Sequence, residues 1–107
     1  MGWATGGINS NFSLTIQCPD SVTVWKIAVR GKNSNERIYD WNFQGSTDGE
    51  TFVDIISKTN TYLDSTTQFF DCSSNTVSYS YYRLYVVNAE PPNPGISYFQ
   101  IYVRDSI

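Results

Sequence analysis

The chain has 107 residues, of which 16% are aromatic and 16% charged, with seven Lys and Arg against ten Asp and Glu for a net charge of −3. A chain this short is a single domain, 1–107, that hides only about two-thirds of its surface, so its core has to be thin and continuous. Its scattered cations exclude the basic stripe that nucleic acid requires, and no apolar run is long enough for membrane insertion as a spanning helix.

Asn11 to Gln17 alternates Phe12, Leu14 and Ile16 with Ser13, Thr15 and Gln17, the two-residue period of a half-buried strand, and Pro19-Asp20-Ser21 is expected to end it. Val22 to Val29 continues as a strand whose in-out phase slips near Trp25 and Lys26, which predicts a bulge or a change of neighbour. Trp25 and Trp41 are both expected in the core. Arg30 to Asn35 reads as a polar loop.

Tyr39 to Ile55 reads as one β-hairpin. Trp41 and Phe43 fall on one face and Asp40, Asn42 and Gln44 on the other, Asp48-Gly49 is the turn pair that tolerates positive φ, and Phe52, Val53 and Ile55 return as the paired strand. Ser57 to Thr67 is a long polar segment whose bulky residues are Tyr62 and Leu63. Gln68 to Cys72 is a short strand. Ser78 to Val87 is a long one, with Tyr82, Leu84 and Val86 on one face and Arg83 on the other, where a carboxylate partner is expected. Pro91 to Gly95 is a rigid loop, and Ile96 to Val103 closes the domain with Phe99, Ile101 and Val103 inward. Antiparallel strands with turns every eight to twelve residues or so define an all-β sandwich or barrel.

Histidine is absent, which removes the commonest general base and the Ser-His-Asp and Cys-His arrangements. Asp40, Asp48, Glu50, Asp54 and Asp64 sit at turn and solvent-facing positions, with no spacing that builds an acid–base pair, so the chain is not expected to be an enzyme. Cys18 and Cys72 permit one disulfide or two buried thiols, and they are too few for a structural metal cluster. Tyr79, Tyr81, Tyr85, Tyr98 and Tyr102 suit either cross-strand pairing or an aromatic surface stripe. The Asn11-Phe12-Ser13 sequon matters only in a chain secreted by a eukaryote.

Ser13-Leu14-Thr15-Ile16, then Val24 through Gly31, Trp41 through Gly49, Tyr81-Tyr82-Arg83-Leu84 and Ile96 through Tyr102 follow one another in an order that resembles the discoidin, or coagulation-factor type C, domains. The resemblance implies an antiparallel jelly-roll β-sandwich of the galactose-binding-like class and a non-catalytic, glycan-binding role. Gly2-Trp3-Ala4-Thr5 corresponds to the end of a family loop, so the family's opening strands are expected to be missing. The family's structural calcium site lies largely in that part, and no other cofactor is implied. A jelly roll short of strands leaves an edge to be covered, which predicts a homo-oligomer or association with a larger parent protein.

In such domains the ligand sits on loops at one end of the sandwich. The loops at hand are the segment around Trp3, the loop Arg30 to Tyr39 and the segment around Tyr62. Asn33, Asn35 and Arg37 offer the polar groups that bracket sugar hydroxyls, Lys32 stands where relatives often carry arginine, and Trp3, Tyr39 or Tyr62 offers a stacking face. The expected partner is a glycan on a cell surface or a polysaccharide. The expected location is extracellular or on a virion, as the binding part of a viral or phage fibre or of a secreted protein. The alternative is a structural, oligomerising sandwich without a small ligand.

Overall fold

The computed structural model describes residues 12–91 and 94–104. Within them the chain forms β1 (Phe12–Val22), β2 (Val24–Gly31), β3 (Ile38–Ser46), β4 (Val53–Lys58), β5 (Gln68–Asp71), β6 (Tyr79–Ala89) and β7 (Ile96–Val103). These make two antiparallel sheets, a four-stranded one in the order β1-β6-β3-β4 and a three-stranded one in the order β5-β2-β7. Every connection except the β3–β4 hairpin carries the chain from one sheet to the other, which is the jelly-roll path expected from the sequence.

The core is the layer between the sheets. Val24, Ile27 and Val29 come from β2, Trp41 and Phe43 from β3, and Tyr82, Leu84 and Val86 from β6, all buried. Aromatic rings lock the layers together across the gap: Trp41 meets Phe70 edge-on at 4.8 Å, and Phe43 meets Phe99 edge-on at 6.1 Å. Edge-to-face pairs of this kind add about 0.5–1.5 kcal/mol each beyond the area they bury.

The hairpin forms as its sequence dictates. Gly49 has φ of +80°, and the loop before β4 is stitched by side chains: the Ser46 hydroxyl accepts from the Asp48 and Gly49 amides, and the Asp48 carboxylate accepts from the Glu50 and Thr51 amides. These bonds hold the Asp48 carboxyl below its ordinary range. The phase slip expected near Trp25 is a register shift between Val24 and Lys26 along β7.

Several expectations are corrected. β1 does not stop at Pro19 but runs on to Val22 with a register shift after Gln17; it is an edge strand, where a missing amide hydrogen breaks no ladder. The chain then changes sheet at Thr23, so Val22 belongs to β1 and not to the following strand. Arg30 and Gly31 end β2 instead of opening the loop. Trp25 lies outside the core, its ring beside Lys26, because the register shift turns it away. Val103, the last residue of β7, is 46% exposed, while Phe99 and Ile101 pack inward as expected. Arg83 donates to the Gln44 amide oxygen at 2.7 Å, and Gln44 in turn donates to Asp54 at 2.9 Å, so the carboxylate lies one residue further away than expected. Cys18 and Cys72 are free thiols, and burial pushes that of Cys72 up to about 11. Trp3 and Asn11 lie outside the described residues.

One close approach fixes the loop end of the sandwich. A Cβ added to Gly31 would stand 2.3 Å from the Leu63 carbonyl oxygen, and the Gly31 amide donates to the Asp64 carbonyl at 2.6 Å. Gly31→Ala is therefore expected to lower stability by at least about 1–3 kcal/mol in urea denaturation, since backbone and not a flexible side chain would have to yield. Leu63→Ala, which empties a fully buried position, is expected to cost about 2–5 kcal/mol in the same assay.

Candidate functional site

β2, β4 and β6 end, and β3, β5 and β7 begin, at the same end of the sandwich, so 32–37, 59–67 and the described ends of the last connection, 90–91 and 94–95, converge there. Backbone bonds tie them into one surface. Lys32 N–H donates to Gly95 at 2.9 Å, Thr61 N–H to Tyr39 at 2.9 Å, Leu63 N–H to Ile38 at 2.8 Å and Glu90 N–H to Arg37 at 2.8 Å. Below them the Trp41 indole donates to the Thr61 carbonyl at 3.0 Å. Leu63 is buried and its neighbour Tyr62 is 39% exposed, so the chain alternates as a strand would where it crosses the opening.

Arg37 and Glu90 form the polar centre of this surface. The Arg37 backbone amide and Nε both donate to Glu90 Oε1, at 2.8 and 3.1 Å, and Nη2 donates to Oε2 at 3.1 Å. The paired hydrogen bonds raise the Arg37 pKa and hold the Glu90 carboxyl below the usual glutamate range. The guanidinium also lies over the Tyr62 ring, 4.3 Å from its centroid, and Tyr39 packs against the same ring at 5.4 Å.

The polar residues of 32–37 divide into two groups. Asn33 is spent on the loop itself: its amide donates to Glu36 Oε1 at 2.8 Å and its oxygen accepts from the Asn35 and Glu36 amides at 2.9 and 2.7 Å. This is an Asx-type turn, and it leaves Asn33 little capacity for a ligand. Ser34 bridges to Ser65 at 2.9 Å, the Asn35 side chain is exposed, and Lys32 is half-buried, held by its backbone. The structure thus gathers Arg37, Tyr39 and Tyr62 into one cluster and sets Lys32, Asn33 and Asn35 along the flanking loop. Trp3 lies outside the described residues.

Glu90 is the residue that sequence reading missed. It stands just before Pro91 at the end of β6, and only the β3–β6 pairing, Ile38 opposite Ala89, brings it to Arg37. The other carboxylates serve the fold. Asp40 accepts from Asn88 at 2.8 Å and from the Asn60 amide at 3.0 Å, which lowers its pKa, and Asp64 accepts from the Thr66 amide at 2.9 Å. Among the described residues no group of three or more His, Cys, Asp or Glu stands close enough to hold a metal ion.

With this geometry in place, likeness to solved proteins becomes informative. The fold is similar to that of chitosan-binding module 1 from a chitosanase/glucanase of Paenibacillus sp. IK-5, with a TM-score of 0.74 and 16% identity over 94% of this chain and 75% of that one. It is equally similar to CpGH89CBM32-6 from Clostridium perfringens, with a TM-score of 0.73 and 18% identity over 96% of this chain and 76% of that one. No protein-family model matches the sequence, and no curated protein does. The architecture is thus a two-sheet antiparallel β-sandwich, the fold class expected from the sequence, and these carbohydrate-binding modules share it.

The Arg37–Glu90 pair makes the loop end sensitive to acid. Glu90 has its pKa lowered from the ordinary value of 4.5, so the stability it lends is whole above that pH and is lost as the pH falls through the lower, folded-state value. Asp40 and Asp48, both lowered from 3.8, add to the same loss at lower pH. A melting-temperature series from neutral pH downwards is expected to fall below about pH 4.5, and Glu90→Gln is expected to flatten the upper part of that fall.

Proposed function

We propose that this domain binds glycan, without acting chemically on it, at the loop end where Tyr62, Tyr39 and the Arg37–Glu90 pair meet. The observation that carries this reading is a partly exposed aromatic ring, Tyr62, with the guanidinium of a bidentate guanidinium–carboxylate pair lying over it. A pyranose has an apolar face that stacks on such a ring. Its hydroxyls both donate and accept, so they suit a neighbouring carboxylate and guanidinium together. Since the pair is already locked in place, little side-chain freedom remains to be lost on binding.

Catalysis has no support in the carboxylates. Glu90, Asp40 and Asp48 are all held below their ordinary range, and a group that stays ionised near neutral pH is a poor general acid. The likeness in fold to modules described as chitosan-binding supports a carbohydrate ligand. A single shallow site of this kind binds weakly, so its use calls for several copies, either as a self-association or on a larger parent protein. The Asn-, Ser-, Thr- and Tyr-rich composition supports a place outside the cell, on a secreted protein or on a viral or phage fibre.

Screening the protein on a glycan array, with Tyr62→Ala and Arg37→Ala alongside, tests the reading. Saturable binding is expected, reduced about tenfold or more by Tyr62→Ala, with a melting curve of the variant checking that this partly exposed change leaves it folded. A blank array from folded protein would transfer the weight to the structural alternative.

A further inference from the structure

The outer face of the three-stranded sheet carries chemistry that the loop end does not use. Ile27 and Val29 point into the core, so Lys26, Ala28 and Arg30 point outward along the central strand β2. On β7, Tyr102, Gln100 and Tyr98 stand opposite Lys26, Ala28 and Arg30, and on β5, Asp71 and Phe69 stand opposite Lys26 and Ala28. The result is a platform of rings set among cations on a flat face.

Its details are those of a built surface. Lys26 Nζ lies 4.9 Å from the Trp25 ring centroid, 5.4 Å from that of Phe69 and 4.6 Å from that of Tyr102. Phe69 and Tyr102 lean together at 6.3 Å and, with Gln100, leave Ala28 wholly covered. Arg30 lies over Tyr98 at 5.4 Å, steadied by Ser97 at 3.1 Å and Thr67 at 3.4 Å, and the Tyr98 hydroxyl donates to Gln100. Despite this order, Phe69 remains 58% exposed and Tyr98 37% exposed.

The charges indicate what would lie there. Neither Lys26 nor Arg30 makes an ion pair among the described residues, and Asp71, directly opposite Lys26, is instead bonded to the Ser73 hydroxyl at 2.9 Å. Two cations are thus held over rings, without a carboxylate partner, on a chain whose net charge is −3. From Tyr98 to Tyr102 the face runs four residues along β7, about 13 Å, which is more than one sugar unit and suits an extended polymer.

We propose that this face is a second binding surface, separate from the loop end, for an acidic polysaccharide. The rings of Phe69, Tyr98 and Tyr102 would take the apolar faces of successive sugars, and Lys26 and Arg30 would take the uronate carboxylates at their rims. The two charges are close to solvent, so the binding would weaken as salt is added. The inference goes beyond the loop-end reading and stands or falls separately from it.

The test is affinity electrophoresis and titration calorimetry of the whole chain with polygalacturonate, and with the same polymer fully methyl-esterified, at low and moderate salt. Polygalacturonate is expected to retard the protein in a salt-sensitive way, and the esterified polymer to do so far less. Phe69→Ala and Lys26→Gln are each expected to lower the association constant about tenfold, whereas Tyr62→Ala leaves it unchanged. Melting curves of both platform variants, one apolar and one polar change at the surface, establish that they are folded. No retardation of the wild type, retardation undiminished in both platform variants, or retardation lost with Tyr62→Ala would each overturn the proposal. So would a wild type that ignores the polymer but sediments as an oligomer that Phe69→Ala dissociates, because the face would then be a contact between copies of the chain.

Discussion

The loop end of this sandwich depends on residues 61–64, which cross the opening between β2 and β3. That crossing is possible because Gly31 has no side chain: its amide and the Asp64 carbonyl meet where a Cβ would collide with Leu63. On the other side the Thr61 and Leu63 amides bond to β3, and the Trp41 indole holds the Thr61 carbonyl from beneath. The segment therefore acts as a staple between the two sheets. It places Leu63 in the core and Tyr62 at the surface, beside Arg37, and the aromatic part of the candidate site follows from it.

The two ends of the sandwich are finished differently. At the hairpin end, the side chains close the structure: Ser46 and Asp48 cap the turn, Asn75 donates to the Val24 carbonyl at 3.0 Å, and the Tyr82 hydroxyl reaches the Val22 carbonyl. Among the described residues, no buried side-chain nitrogen or oxygen lacks a hydrogen-bond partner. At the other end the polar groups lie outside, and the Arg37–Glu90 pair remains partly exposed.

Most of the fold could be read from the sequence because its periodicity is local. The alternation of Trp41 with Asn42 and Phe43, and of Tyr82 with Arg83 and Leu84, states which face is buried without reference to any partner. The slip at Trp25 was visible for the same reason, although its effect on the burial of Trp25 was not. Turning a phase shift into a burial requires knowing the neighbouring strand. The site was harder to read, since Arg37, Tyr62 and Glu90 come from three connections brought together only by strand pairing. Arg37 and Tyr62 were conspicuous as a cation and an aromatic in polar stretches, whereas Glu90 carried no local signal before Pro91. Asn33, a plausible sugar ligand by type, proves to fold its own loop, a use that depends on backbone geometry two and three residues ahead.

The alternation of Tyr62 outward and Leu63 inward also bears on how this surface can change over time. A single residue inserted between Thr61 and Leu63, whose amides both bond to β3, would exchange the two positions, driving a phenol towards the core and a leucine into water, so core and loop-end surface would fail together. Length variation there is tolerable only where it preserves that parity. The flanking stretch 32–37 is held by separate contacts, the Asn33 turn, Ser34 with Ser65 and Arg37 with Glu90, so the exposed side chain of Asn35 is where change disturbs that end least.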